Sequence, residues 1–152
     1  MFSHKKVLFA VVALLLMSLA LSACGAVSAS RVVEEAQIPQ VTIKTTDFAF
    51  DAPAQIEAGL VSITIVNEGE EPHHVQLARL NDGVTLEQFQ AALQQGPDAA
   101  APLLTWAGGP GIVDSGSEQM VTVQLDTGQY VLLCFVPDHN GAPHIALGMV
   151  AG

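Results

Sequence analysis

Short stretches of alternating apolar and polar residues dominate the chain from residue 41 onward. In the stretch 60–67, Val61, Ile63 and Ile65 fall on one face, and Ser62 and Thr64 fall on the other. This alternation predicts a half-buried strand, because successive side chains of a strand point to opposite faces. Similar patterns predict further strands at 41–50, 74–80, 117–125 and 130–135. Because Gly, Pro, Asn and Asp separate these stretches, we expect an all-β antiparallel sandwich or barrel.

One region departs from the β pattern. Thr85 and Gln88 form a capping-box pair, and apolar residues then recur at helical spacing up to Leu93. Gly96 and Pro97 end this helix, and a second short helix is predicted at 98–106. We therefore expect a helical insertion around residues 84–106.

The first residues have the pattern of an export signal. Lys5 and Lys6 precede an apolar run at 7–21, which leads into Leu21-Ser-Ala-Cys24. The run is short for a membrane span, which is the alternative interpretation. Its ending resembles a bacterial lipobox, in which the cysteine is lipidated. The sequence therefore predicts a signal peptide at 1–23, a tether at 24–40, one domain at 41–152, and anchoring through Cys24 on the extracytoplasmic side of a bacterial membrane.

The acidic composition limits the possible partners. The net charge is −10, and removal of Lys5 and Lys6 with the signal peptide would change it to −12. Such a surface repels nucleic-acid phosphates and anionic lipid headgroups. It suits a basic protein partner, for which charge would raise the encounter rate, or it serves only solubility.

The two cysteines point to metal chemistry. If Cys24 carries lipid, Cys134 has no partner within the chain. An unpaired thiol in an exported protein is either an inert buried group or a metal-bound thiolate. His139, His144 and Met149 follow Cys134 closely, and thiolate, imidazole and thioether are the ligands of a blue copper site.

Two pieces of the chain resemble the cupredoxin family, which includes plastocyanin, amicyanin and auracyanin. Plastocyanin-like chains read Asn-x-Gly-x-Pro-His-Asn-Val around one ligand, which is the histidine of this motif. The matching residues here, with one extra residue in the loop, are Asn67, Gly69, Pro72, His73 and Val75. The stretch Gly128-x-Tyr130-x-x-x-Cys134 is similar to the strand that carries the copper cysteine.

The resemblance implies a Greek-key β-sandwich with one copper ion. It places His73, Cys134, His144 and Met149 as the ligands, with His74 and His139 as alternatives. His74 takes the position of an asparagine that braces the ligand loops, and a histidine can donate a hydrogen bond there.

The sequence departs from the family in the ligand loop and at the last strand. Nine residues separate Cys134 from His144, whereas the familiar loop has two to four before its histidine. His139 has the shorter spacing from Cys134, but its Asp-His-Asn-Gly context is turn-prone. Pro143 restrains the backbone before His144, so we expect His144 to be the ligand and His139 to be exposed. The closing strand after Met149 is expected to be short or absent.

Three functions fit these features. The first is a membrane-tethered one-electron carrier, which needs no catalytic base, nucleophile or small-molecule substrate. The second is a module that delivers or stores copper, for which a ligand-rich flexible loop would be suited. The third is a metal-free interaction domain, and the unpaired Cys134 close to His and Met residues argues against it.

Overall fold

The structure is a computed structural model, and it describes residues 37–152. The predicted signal peptide, the predicted lipidation site Cys24 and most of the predicted tether lie outside the described residues. Within the described residues, no helix is both long and apolar enough to cross a membrane.

Within residues 37–152, eight strands form two four-stranded sheets. The first sheet has the order β2-β1-β3-β6, and the second has the order β5-β4-β7-β8. The strands are β1 Gln40–Thr46, β2 Ala49–Asp51, β3 Gly59–Asn67, β4 Gln76–Leu80, β5 Leu104–Gly108, β6 Glu118–Leu125, β7 Tyr130–Leu133 and β8 Val150–Ala151. All neighbouring strands are antiparallel except β1 and β3, which are parallel. The prediction of an all-β sandwich is confirmed, and its strands are antiparallel as expected except at this one pair.

Apolar residues from both sheets meet in one core. Val61, Ile63 and Ile65 of β3 are completely buried there, as the alternating pattern predicts. Leu77 of β4 and Leu132 of β7 reach the same core from the second sheet. Burial of this apolar surface is the main force that holds the two sheets together.

The second sheet is buried on its other face as well. Val131 and Leu133 of β7 point away from the first sheet and pack with Phe89. Phe89 belongs to helix α1, Leu86–Leu93, which begins with the predicted capping box of Thr85 and Gln88. Burial on both faces explains why β7 reads as a continuous apolar run instead of alternating.

The rest of the insertion is shorter than predicted. Helix α2 covers Pro97–Ala100, and one 3₁₀ turn follows at Ala101–Leu103. Trp106 lies on β5 and not on a helix, because Leu104–Gly108 pairs with β4 and satisfies its backbone groups there. The prediction of helix up to residue 106 is therefore wrong for its last three residues.

Candidate metal centre

Three buried side chains converge at one end of the sandwich. The ligand atoms of His73, Cys134 and His144 all lie within 4.8 Å of one another. Nδ1 of His144 is 3.1 Å from Nδ1 of His73 and 3.5 Å from Sγ of Cys134. All three residues are completely buried, so the ring nitrogens and the sulfur face one another away from bulk water.

Strand β7 and the loop after it bring Cys134 and the thioether of Met149 to the same end of the sandwich. Cys134 follows directly after β7, and Met149 precedes β8. Met149 is fully buried and packs in one cluster with Cys134 and Val136. The backbone N–H of Cys134 also donates to the carbonyl of Met149 at 3.4 Å. The sequence-predicted thioether therefore lies beside the predicted thiolate.

The long loop folds back on itself. The N–H of His144 donates to the carbonyl of Val136 at 2.9 Å, and the N–H of Asp138 donates to the carbonyl of Ala142 at 2.8 Å. The carboxylate of Asp138 accepts the N–H groups of Asn140 and Ala142 and closes the tip. The extra residues therefore form a small hairpin whose return arm brings His144 back beside Cys134.

The loop after β3 positions His73. Its N–H and carbonyl both hydrogen-bond Val113, which fixes the backbone on one side. The amide of Asn67 donates to the carbonyls of Glu71 and Val113, and its oxygen accepts the N–H of Gly69. The Asn-x-Gly motif that carried the family resemblance thus shapes the loop that holds this histidine.

The alternative histidines lie outside the cluster. His74 points the other way from His73, and its Nε2 accepts the N–H of Phe135 at 2.7 Å. His74 therefore bridges the two ligand loops, but as an acceptor and not as the expected donor. His139 lies at the tip of the hairpin with 77% of its side chain exposed, and its Nδ1 is 3.3 Å from Glu71 Oε1.

Two carboxylates that the sequence analysis did not identify bind the outer nitrogens of the buried histidines. Asp47 Oδ1 is 3.1 Å from Nε2 of His73. Glu71 Oε2 is 3.1 Å from Nε2 of His144. Asp47 lies in the turn between β1 and β2, far from any ligand in sequence, so no local pattern could have found it. Glu71 lies two residues before His73, within a run of acidic residues typical of a solvated loop.

Burial dominates the electrostatics of the cluster. It lowers the pKa of His73, and the hydrogen bond to Asp47 only partly counteracts this. Burial also raises the pKa of the Cys134 thiol, although the backbone N–H groups of His74 and Val136 oppose that change. The N–H of Glu71 is the largest cause that lowers the pKa of Asp47. A bound cation would reverse the balance at Cys134, because metal coordination deprotonates a thiol.

The donor set fits one copper ion. With each Nε2 hydrogen-bonded to a carboxylate, the two Nδ1 atoms present lone pairs to each other at 3.1 Å. A metal ion between the two nitrogens would accept both lone pairs and remove the repulsion between them. Two imidazoles, a thiolate and a nearby thioether are the donors that copper takes in blue sites.

Comparison with known proteins finds similarity at the level of structure. No family model matches the chain, and no curated protein matches it. An auracyanin from Roseiflexus castenholzii, reduced with dithionite, matches with a TM-score of 0.50 and 20% identity, covering 74% of this chain and 92% of the other. Auracyanin B matches with a TM-score of 0.49 and 23% identity over 80% of this chain and 91% of its own. Auracyanin A, a blue copper protein from Chloroflexus aurantiacus, matches with a TM-score of 0.40 and 25% identity, covering 66% of this chain and 90% of its own.

The match to the Roseiflexus protein, together with the two-sheet architecture, establishes the fold class that the sequence predicted. The chain has the cupredoxin fold.

Proposed function

We propose that this protein is a one-electron carrier that uses a single copper ion, which His73, Cys134, His144 and the thioether of Met149 would hold. The observation that carries the proposal is the convergence of three buried donor atoms within 4.8 Å. Bound copper would supply a Cu(I)/Cu(II) couple.

The chain's own residues would limit rearrangement between the two redox states. His73 is tied to Val113 through its backbone and to Asp47 through its ring. His144 is tied to Val136 and Glu71 in the same two ways. Donors that are held from both sides favour a fixed coordination geometry. An electron carrier needs such a geometry, whereas an enzyme needs an open position for its substrate.

Visible and EPR spectroscopy of the protein with Cu(II) tests this function. We expect one copper per chain and an intense charge-transfer band from the Cys134 thiolate. Cys134→Ala should lose the band and leave the fold intact. Uptake of Cu(II) without the band, or a band that survives in Cys134→Ala, would contradict the proposal.

Copper delivery is the alternative function, and the exposed His139 at the loop tip is the observation that favours it. The hairpin hydrogen bonds beneath the tip favour the carrier instead, because they tie down the loop that exchange would need to open. Reversible redox cycling with retained copper would support the carrier. Rapid transfer of Cu(I) to a chelator would support delivery.

We further propose that the domain is anchored to the extracytoplasmic side of a bacterial membrane through lipid on Cys24. The basic and apolar leader before Leu21-Ser-Ala-Cys24 supports this. Two or three acyl chains give stable anchoring, whereas one gives marginal binding. Cys24→Ser in a bacterial host should move the protein out of the membrane fraction, and unchanged fractionation would contradict the anchor. With a net charge of −10, the chain suits a basic redox partner.

A further inference from the structure

We propose that Glu71 and Asp47 are positioning residues of the copper centre, which hold His144 and His73 with their Nδ1 atoms aimed at the ion and favour Cu(II) over Cu(I). This inference rests on the proposed copper function. It assigns a role to two acidic residues that the resemblance to cupredoxins does not identify.

The first support is that both outer nitrogens are bound in the same way. Asp47 and Glu71 each place a carboxylate oxygen 3.1 Å from an Nε2 atom. An ionised carboxylate only accepts hydrogen bonds, so a neutral ring in this contact carries its proton on Nε2 and keeps its lone pair on Nδ1. In metal sites this contact fixes the tautomer and the orientation of the ring and makes the ligand more basic.

The second support is that Asp47 is itself held in place. Its carboxylate accepts the backbone N–H groups of Glu70 and Glu71 at 3.0 and 3.1 Å, besides the ring of His73. Gly69 makes the close approach possible, since a Cβ at this position would lie 2.5 Å from Asp47 Oδ1. The turn between β1 and β2 therefore fits onto the ligand loop through this one carboxylate.

The third support is the double contact of Glu71. One of its oxygens binds His144, and the other lies 3.3 Å from Nδ1 of the exposed His139. Glu71 thus connects the loop of His73 to the hairpin that carries His144, and it covers the outer edge of the His144 ring. His144 is completely buried, whereas 24% of the Glu71 side chain is exposed.

Negative charge at these positions should act differently on the two oxidation states. Cu(II) carries one more positive charge than Cu(I), so a carboxylate behind each histidine stabilises Cu(II) more. If loss of one charge weakens Cu(II) binding tenfold relative to Cu(I) binding, the reduction potential rises by about 59 mV. Changes to outer partners of metal ligands typically reduce metal affinity about 10- to 100-fold.

The test compares Glu71→Gln, Glu71→Ala and the control Glu70→Gln in the full-length protein. Gln keeps an acceptor for His144 but removes the charge, whereas Ala removes both. Glu70→Gln makes the same charge change one residue away. Among residues 37–152, Glu70 enters the network only through its backbone N–H.

The first measurement uses metal-free protein and ¹⁵N NMR of the histidine rings. We expect Nε2 of His73 and His144 to be protonated, and we expect Glu71→Ala to weaken that preference at His144. An unprotonated Nε2 of His144 in the unaltered protein, or no change in Glu71→Ala, would overturn the positioning role whether or not copper binds.

The second measurement is the reduction potential of the copper-loaded protein. Glu71→Gln should keep the charge-transfer band, lower Cu(II) affinity about tenfold relative to Cu(I), and raise the potential by about 59 mV. Glu70→Gln should change neither the relative affinity for Cu(II) and Cu(I) nor the reduction potential. Equal potentials in the two variants would overturn the preference for Cu(II). Failure of the unaltered protein to form the band would instead contradict the proposed function, while the NMR result would still decide the role of Glu71.

Discussion

At the scale of single residues, the site depends on which member of each histidine pair turns inward. His73 and His74 are adjacent, and the extended backbone at this position sends their rings to opposite sides. His73 faces the cluster, and His74 accepts a hydrogen bond from the N–H next to Cys134. The hairpin separates the other two histidines, because it buries His144 on its return arm and exposes His139 at its tip.

Alanine substitution of the downstream histidines should separate their roles. His144→Ala should abolish the charge-transfer band and reduce Cu(II) affinity by roughly 100-fold or more, at or above the upper end of the effect of losing an outer partner. His139→Ala should keep the band, because 77% of its side chain is exposed and it lies outside the cluster. The measurements are visible absorbance and copper competition titration. The reverse pattern would mean that the loop folds differently around the metal.

At the scale of elements, three separate connections build the site, and each is closed by hydrogen bonds. The turn after β1 supplies Asp47, the loop after β3 supplies Glu71 and His73, and the hairpin after β7 supplies His144. Gly69 lies where the first two connections meet, and a Cβ there would approach Asp47 Oδ1 to 2.5 Å and His73 Nε2 to 3.0 Å.

Gly69→Ala should therefore disturb the site. The added methyl group must displace the Asp47 carboxylate from His73, and overpacking of this kind costs about 1–3 kcal/mol. We expect a lower free energy of unfolding in urea and weaker Cu(II) binding. Gly111→Ala is the control, because a Cβ there would meet only the flexible end of Gln119. Equal stability and copper affinity in the two variants would contradict this role of Gly69.

At the scale of the whole molecule, the packed sandwich buries His73 completely and His74 partly at one end. Burial lowers the pKa of both His73 and His74. The pKa of a histidine in the unfolded chain is about 6.5. Well above this pH, these histidines are neutral in both the folded and the unfolded state, so their protonation does not affect stability. As the pH falls below this pKa, the unfolded chain binds protons first, and the folded state loses relative stability.

The metal-free protein should therefore have a lower free energy of unfolding at pH 5.5 than at pH 7.5. The loss is at most about 1.4 kcal/mol for each of the two histidines and each pH unit below 6.5. The lowered pKa of Asp47 adds a further loss only below about pH 4. Urea denaturation across this range measures the slope, and His73→Asn should flatten it. A metal-free protein with constant stability between pH 7.5 and 5.5 would contradict the burial of neutral histidines.

The sequence by itself determined the fold class, most strand positions and the first helix. Alternation in β3 and the Thr85–Gln88 capping box are local signals, and local geometry is enough to read them. It also indicated the donor types, because His139, His144 and Met149 follow Cys134 closely in the chain, and His73 and His74 lie in a motif of their own. The parallel pairing of β1 with β3 and the strand at Trp106 were not readable, since both depend on which distant backbone groups are available.

Only the tertiary structure decided how the donors are held. The hairpin between Val136 and His144 brings His144, ten positions after Cys134, back beside that cysteine, and no spacing rule foresees the hairpin. Asp47 and Glu71 reach the ring nitrogens from loops that meet only when the two sheets pack together. A sequence pattern specifies which groups are present and which face of an element they take. The distances between groups from separate loops depend on the packed core, which sets where every loop begins and ends.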